Sequence, residues 1–287
     1  MIIYQTLELQ FYELHGMLSF KCCNVDRHTS ERDLPNMPRI NVVSSVPGAE
    51  SVVRQLLCEP VVGVSCQGTK HTNVLTSVTI GVPSGDIYVF DVKSCSAIVL
   101  DGGLIRLLQS VELVKVFHDV SIDSRVLQPY GVKVRHYFDT QVGYSVLLEQ
   151  KGFPPRKINL PQLCKKYQIG LPSPDQQEQK RMGEDVNYWA KRPLSKSMLN
   201  LCAASVMALG TLYTCLASQL DPDMWAWFDC MSEENRLSRI QQRRIQSVKT
   251  ARKNQQFMEH LYEYPVSRLT EAERQLIAES MPETRPN

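Results

Sequence analysis

The sequence lacks a disulfide pattern. Its nine cysteines are odd in number and, apart from adjacent Cys22 and Cys23, are scattered without repeated spacing. That excludes a disulfide-stapled secreted scaffold and points to reduced thiols in a cytosolic or nuclear compartment. Zinc-finger spacing is missing as well, because Cys58 and Cys66 have no second pair. There is no phosphate-cradling glycine loop of the Walker type. Glu8 and Glu13 interrupt the first apolar residues, so the start of the chain does not read as a signal peptide. Residues 197–220 lack any charged side chain and are long enough to cross a bilayer. Asn200, Ser205, Thr211, Thr214 and Gln219 make them too polar for that role, and a buried helix is the expectation, with no membrane partner. The net charge of +2, with 43% hydrophobic and 22% charged residues, is that of an ordinary globular protein. Only the local distribution of charge carries information about partners.

What is present has a clear rhythm. Residues 1–46 read as an N-terminal extension, with Pro35 and Pro38 marking a linker before the main domain at 47–220. Strands are expected at Val61–Val64, Val74–Val82 and Ile87–Val92, the last two joined by a Pro83-Ser84-Gly85-Asp86 turn. Helices at Leu104–Leu108, Ile122–Tyr130 and Thr140–Glu149 alternate with strands at Leu113–Phe117 and Val132–Phe138. Gly131 stands where a helix C-cap belongs. Helices alone follow, at Leu160–Tyr167, Glu178–Trp189 and Ser195–Leu220. Three meandering strands followed by alternating helix and strand predict an α/β domain, a mixed sheet flanked by helices. Trp225, Trp227 and Phe228 are expected to pack against that domain rather than to form a binding surface. Residues 221–287 form a helical C-terminal extension. Between Asn235 and Met258 it carries seven basic residues and no acidic one: Arg236, Arg239, Arg243, Arg244, Lys249, Arg252 and Lys253. With Leu237, Ile240, Ile245, Val248 and Ala251 on a partial stripe, this predicts a basic amphipathic helix and makes the seven side chains candidates for RNA contact.

Four segments occur in an order and spacing that resemble the DEDD family of 3′–5′ exonucleases, which includes RNase D-like proteins. Val61–Gly68 stands where the family has a strand ending in Asp-x-Glu-Gly. Lys115–Asp123 is similar to its second motif, whose closing Asp is catalytic. Phe138-Asp139-Thr140-Gln141 resembles the segment that follows. Leu201–Val206, preceded by Arg192-Pro193-Leu194, is placed like the final Tyr-Ala-Ala-x-Asp-Val. The resemblance covers Pro60 to Tyr213 and implies an RNase H-like mixed sheet flanked by helices. In that family four acids hold two divalent cations about 4 Å apart, one serving the attacking water and one the leaving oxygen. Such hard cations favour carboxylate oxygens.

Here the family's first Asp is Ser65, its Glu is Gln67, its Tyr is Leu201 and its final Asp is Ser205. Asp123 alone keeps a carboxylate. Neutral hydroxyl and amide oxygens supply no charge against two dications, so the expectation is a pseudo-exonuclease with no catalytic residue, metal or cofactor. His118 is expected to pack the strand end, and Asp91, Asp119 and Asp139 are the acids that could be recruited in compensation. Neutralising the groove lowers its repulsion of phosphate, which favours binding of single-stranded RNA without cleavage. Within the family the sequence resembles the egalitarian-like, exonuclease-domain-containing proteins of the piRNA pathway. That resemblance implies an RNA-binding adaptor, homodimeric, joining Tudor-domain and PIWI-pathway proteins in cytoplasmic germ granules. It also implies a small Sm-like β domain, of which residues 1–46 could hold only a remnant. Two alternatives stand beside it: a protein scaffold or dimerisation module that binds no RNA, and a cryptic metal-dependent exonuclease.

Overall fold

The computed structural model describes residues 39–69, 72–172 and 176–262, with residues 271, 272 and 275. Of the two compact units of the chain, Met1–Met37 lies outside the described residues, and so does the Sm-like reading of that segment. The second unit, from Pro38 onward, carries the sheet.

Six strands are paired among the described residues: β1 Ile40–Val43, β2 Val61–Gly68, β3 Leu75–Gly81, β4 Ile87–Phe90, β5 Val114–Phe117 and β6 Tyr137–Asp139. Their spatial order is β1-β4-β3-β2-β5-β6. Only β3 runs against the others, pairing antiparallel with both β2 and β4. β1 lies parallel to β4, and β5 parallel to both β2 and β6. The tight β3–β4 turn uses Gly85 at φ +95, a backbone angle that side chains resist. Ile40–Val43, which lies in the segment expected as an N-terminal extension, pairs with β4 in the sheet.

Helices cover both faces. On one side lie α1 (Val46–Leu56), α2 (Leu104–Gln109) and α3 (Val120–Leu127). In α1 the Ser45 hydroxyl accepts from the Gly48 amide at 3.3 Å, and Ala49, Val53 and Leu56 form the buried stripe. These residues share a core with Val62, Val64, Val78, Ile80 and Leu104. The other side holds α4 (Thr140–Gln150), α7 (Lys196–Val206), α8 (Leu209–Ala217) and α9 (Trp225–Leu237), after the short α5 (Leu160–Lys166) and α6 (Gln176–Glu184). Its core joins Phe138, Val146, Cys202, Leu209, Leu212, Leu216 and Phe228. Phe228 stacks on Phe138 with centroids 4.6 Å apart, and Trp225 meets Phe138 edge-on, so this aromatic cluster is packing, as its position in the sequence suggested.

Two expected elements change. Val132 and Val134 are buried at the alternation of a strand, but ladder pairing starts only at Tyr137, after His136 turns to φ +44. The uncharged stretch 197–220 is not one rod: α7 ends at Val206 and α8 begins at Leu209. By length and composition Lys196–Ala217 could cross a membrane. Cys202, Val206, Leu209, Leu212 and Leu216 pack into the core of this side, while Met207 is exposed. A Cβ on Gly63 would lie 2.8 Å from the Val206 carbonyl oxygen, so only glycine lets the α7–α8 junction seat this closely on β2.

Candidate functional site

The three parallel strands β2, β5 and β6 end on the same side of the sheet; of the motif positions Ser65 and Gln67 lie on β2, Asp123 on α3, and Leu201 and Ser205 on α7. Gly63, Ser65 and Gln67 alternate onto the face of β2 that meets α7 and α8. The facing residues of β3 are Ser77 and Thr79, so the second face carries a polar window instead of the apolar surface found on the first. Gln67 is buried, and both ends of its amide are hydrogen-bonded. Oε1 accepts from the Ser77 hydroxyl at 3.0 Å and the Thr79 hydroxyl at 3.1 Å, while Nε2 donates to Ser65 Oγ at 3.3 Å. On α7 the Ser205 hydroxyl donates back to the Cys202 carbonyl at 2.6 Å, and Leu201 is half-buried. Ser and Thr donors from β3 thus occupy the amide oxygen of Gln67.

Asp123 sits in the first turn of α3, fully inside the protein. β2 has no parallel neighbour beyond Gly63, and Asp123 Oδ1 accepts the Cys66 amide at 2.5 Å where a strand partner is missing. Burial pushes the carboxyl up to about 8, with Asp119 and Asp139 adding to the rise and the Cys66 hydrogen bonds opposing it. At neutral pH this side chain is mostly a neutral acid.

One corner over, Asp139 ends β6 and caps α4. Its carboxylate accepts the amides of Asp119 (3.0 Å), Val120 (2.9 Å) and Gln141 (2.9 Å), and Nδ2 of Asn235 from α9 (2.8 Å). Asp119 adopts φ +63 at the start of α3, a conformation that a non-glycine residue keeps only when its surroundings impose it. Its own carboxylate accepts from Ser121 Oγ at 2.6 Å and from Asn235 Nδ2 at 3.1 Å. His118 bridges the Thr140 hydroxyl (Nδ1, 2.8 Å) and the Ile158 carbonyl (Nε2, 3.0 Å). Burial holds its imidazole below its ordinary value despite the pull of Asp139 and Asp119. Asp91 lies elsewhere, in an ion pair with Arg192 at 2.6 Å, and Arg192 also donates to the Thr76 carbonyl at 2.9 Å. Burial alone would raise Asp91, but hydrogen bonds from Arg192 and Ser94 outweigh it and leave the carboxyl below its usual range. The acids considered as compensating ligands are therefore structural. Asn235 was not legible as part of this corner, since an isolated Asn in a basic stretch carries no pattern.

The basic stretch departs most from expectation. It is not one helix: α9 ends at Leu237 and α10 (Gln242–Tyr262) follows after a break. Arg236 is buried and bidentate on Glu233, donating from Nε at 2.7 Å and also from its terminal nitrogen. Arg252 pairs with Glu234 and lies over the Trp227 ring, 5.0 Å from its centroid. Lys249 reaches the same Glu234 at 3.3 Å. Arg239 donates to Ser121 at 3.0 Å, and Arg244 to Gln241 at 3.2 Å. Arg243 and Lys253 stand exposed. The acids that absorb the buried cations come from α9, just outside the window in which acids are absent. Arg236 and Arg252 therefore leave the set of RNA-contact candidates.

Two divalent cations do not fit the residues at the β2 edge. Gln67 has spent its oxygen on Ser77 and Thr79, Ser205 is bonded to its own helix, and Asp123 is the one carboxylate left, with Oδ1 accepting the Cys66 amide. Among the described residues no group of three or more His, Cys, Asp and Glu is arranged to hold a metal. A mixed sheet with one reversed strand, helices on both faces and a polar site at the parallel edge define an RNase D-like exonuclease fold. The chain belongs to the 3′–5′ exonuclease family, whose profile matches residues 47–221. It is 30% identical over 145 residues to the piRNA biogenesis protein EXD1 of Danio rerio, covering 48% of this chain and 38% of that protein. It is also 30% identical over 129 residues to the Egalitarian protein homolog of Caenorhabditis elegans, covering 42% of this chain and 22% of that one. The chain thus spans well under half the length of these relatives. The crystal structure of Trypanosoma brucei RNase D superposes with a TM-score of 0.62 at 19% identity, covering 71% of this chain and 74% of that enzyme.

Proposed function

We propose that this chain is a catalytically inactive exonuclease-like domain that holds single-stranded RNA without cutting it, as an adaptor in piRNA biogenesis. The observation that carries the reading is the Gln67 network. A neutral amide locked by Ser77 and Thr79 occupies the position where the family's motif has a metal-binding carboxylate. With Ser65, Gln67 and Ser205 in place of three of the family's acids, the end of β2 presents less negative charge to a phosphate backbone than four carboxylates would. The relatives named for piRNA biogenesis favour the pathway. By the same likeness the partners are a second copy of the chain and Tudor-domain and PIWI-pathway proteins, in the cytoplasm and its germ granules.

The test is a 5′-labelled single-stranded RNA titrated with the protein in Mg²⁺ or Mn²⁺ across a salt series. Saturable, salt-dependent binding with no shortening is expected. Metal-dependent shortening that Asp123→Ala abolishes would sink the inactive reading. The second reading, a scaffold that binds no RNA, is favoured by one observation: Arg236, Lys249 and Arg252 are spent on internal ion pairs. It predicts neither binding nor shortening.

A further inference from the structure

Behind the motif edge, α4, α9 and α10 enclose an open cleft of about 520 Å³ with the segment 155–157 along one side. Its floor is apolar, built from Val142, Val146, Trp227 and Met231. At its rim Arg156 and Lys157 are exposed and make no ion pair with any described residue. The two carboxylates that line it are already engaged. Glu149 accepts from Trp227 Nε1 at 2.8 Å, and Glu234 takes Lys249 and Arg252. The cleft therefore joins an apolar lining to an excess of positive charge, with Arg156, Lys157, Lys249 and Arg252 against Glu149 and Glu234.

We propose that this cleft docks an acidic segment of a partner protein, seating one large apolar side chain on the floor and carboxylates on Arg156 and Lys157. The volume suits a bulky side chain with its flanking backbone. Charge complementarity sets the sign of the segment. RNA fits less well for one reason visible in the site. Trp227 is only 9% exposed and the Arg252 guanidinium lies over it, so no open ring is available for a base to stack on. The proposal does not depend on the RNA reading, because the cleft lies apart from Ser65, Gln67 and Asp123.

The experiment uses the full chain and a short fluorescein-labelled peptide in which glutamates flank one Trp-Leu pair. The same peptide with glutamines in place of glutamates is the control, and fluorescence anisotropy is the readout. Saturable binding that favours the glutamate peptide and weakens with salt is expected. The double charge reversal Arg156→Glu with Lys157→Glu lies on exposed residues and should lower that affinity about tenfold. Ser145→Trp, which fills the cleft from α4, should abolish it. RNA affinity should stay unchanged in the charge-reversed protein. Equal binding of the two peptides, or no binding of either, overturns the proposal. So does a charge-reversed protein that keeps the peptide and loses RNA, which would assign these cations to the nucleic acid instead.

Discussion

Asp123 and Asp139 are both buried carboxyl groups at the same edge of the same sheet, yet the protein uses them in opposite ways. Asp139 receives four hydrogen bonds, three from backbone amides and one from Asn235, and through them ties β6, α3, α4 and α9 together. Asp123 receives one amide, from Cys66, and burial pushes it up to about 8. The difference teaches that burial alone does not decide the fate of an acid; the number of donors aimed at it does. Where donors converge, as on Asp139, the carboxyl group organises structure. Where metal-binding neighbours are replaced by Ser and Gln, the remaining acid takes up a proton.

The largest effect expected from breaking this contrast is that of Asp139→Ala. It leaves four donors facing a void and should cost about 3–5 kcal/mol in urea-induced unfolding. Asp139→Asn, which keeps one oxygen and adds two hydrogens among donors, should fall between the wild type and alanine. A midpoint shift below 1 kcal/mol for the alanine variant would show that the corner is not the tie described above.

Next comes the pair of acids on α9. Glu234→Gln strips the charge that holds Lys249 and Arg252, and should cost about 2–3 kcal/mol. The loss should appear first as faster amide hydrogen exchange in α10, because that helix is held to the body through these contacts. Uniform exchange across the chain would contradict a local latch.

Asp123 makes a prediction of opposite sign. An acid raised from about 4 in the unfolded chain to about 8 in the folded one keeps its proton in the native state while the unfolded state loses it. Its contribution is fully present below about pH 4 and is lost progressively as pH rises through about 8. Stability should therefore decline across that window. Asp123→Asn should flatten the decline and stabilise the protein at neutral pH by about 1–2 kcal/mol. A variant that is less stable at pH 7 than at pH 4 by the same margin as the wild type would assign the slope to other groups.

The smallest effect on stability sharpens the contrast between inward and outward cations. Arg243→Ala with Lys253→Ala should change stability by under about 0.5 kcal/mol, since both side chains are exposed. On the proposed RNA reading it should reduce the salt dependence of RNA binding by about two charges' worth. Arg236→Ala should instead unfold the protein partially, because it leaves Glu233 buried and unpaired.

Much of this architecture was readable in the chain. The β3–β4 turn, the helices Thr140–Gln150, Leu160–Lys166 and Gln176–Glu184 in outline and the order of the four motifs all follow from local signals: turn residues, alternation and helical spacing. β1 and α1 were missed because Ile40–Val43 is a short exposed strand with little alternation. Val132–Val134 misled because burial alternates there without ladder hydrogen bonds. The neutral substitutions at Ser65, Gln67, Leu201 and Ser205 were visible as residue types at motif spacing. Nothing in their sequence revealed that Ser77 and Thr79 would close on Gln67, a match made across the β2–β3 pairing.

The sequence by itself determined the family, the mixed sheet and the replacement of three acids at the parallel edge, because these depend on residue identity and spacing along the chain. Tertiary structure decided which charges face water. Seven basic residues in a run without acids read as one positive surface, but Glu233 takes Arg236 one turn along α9, and packing of α10 on α9 brings Glu234 against Lys249 and Arg252. A charge buried without a partner costs several kcal/mol, so once packing had turned Arg236 and Arg252 inward their partners had to come from within the fold.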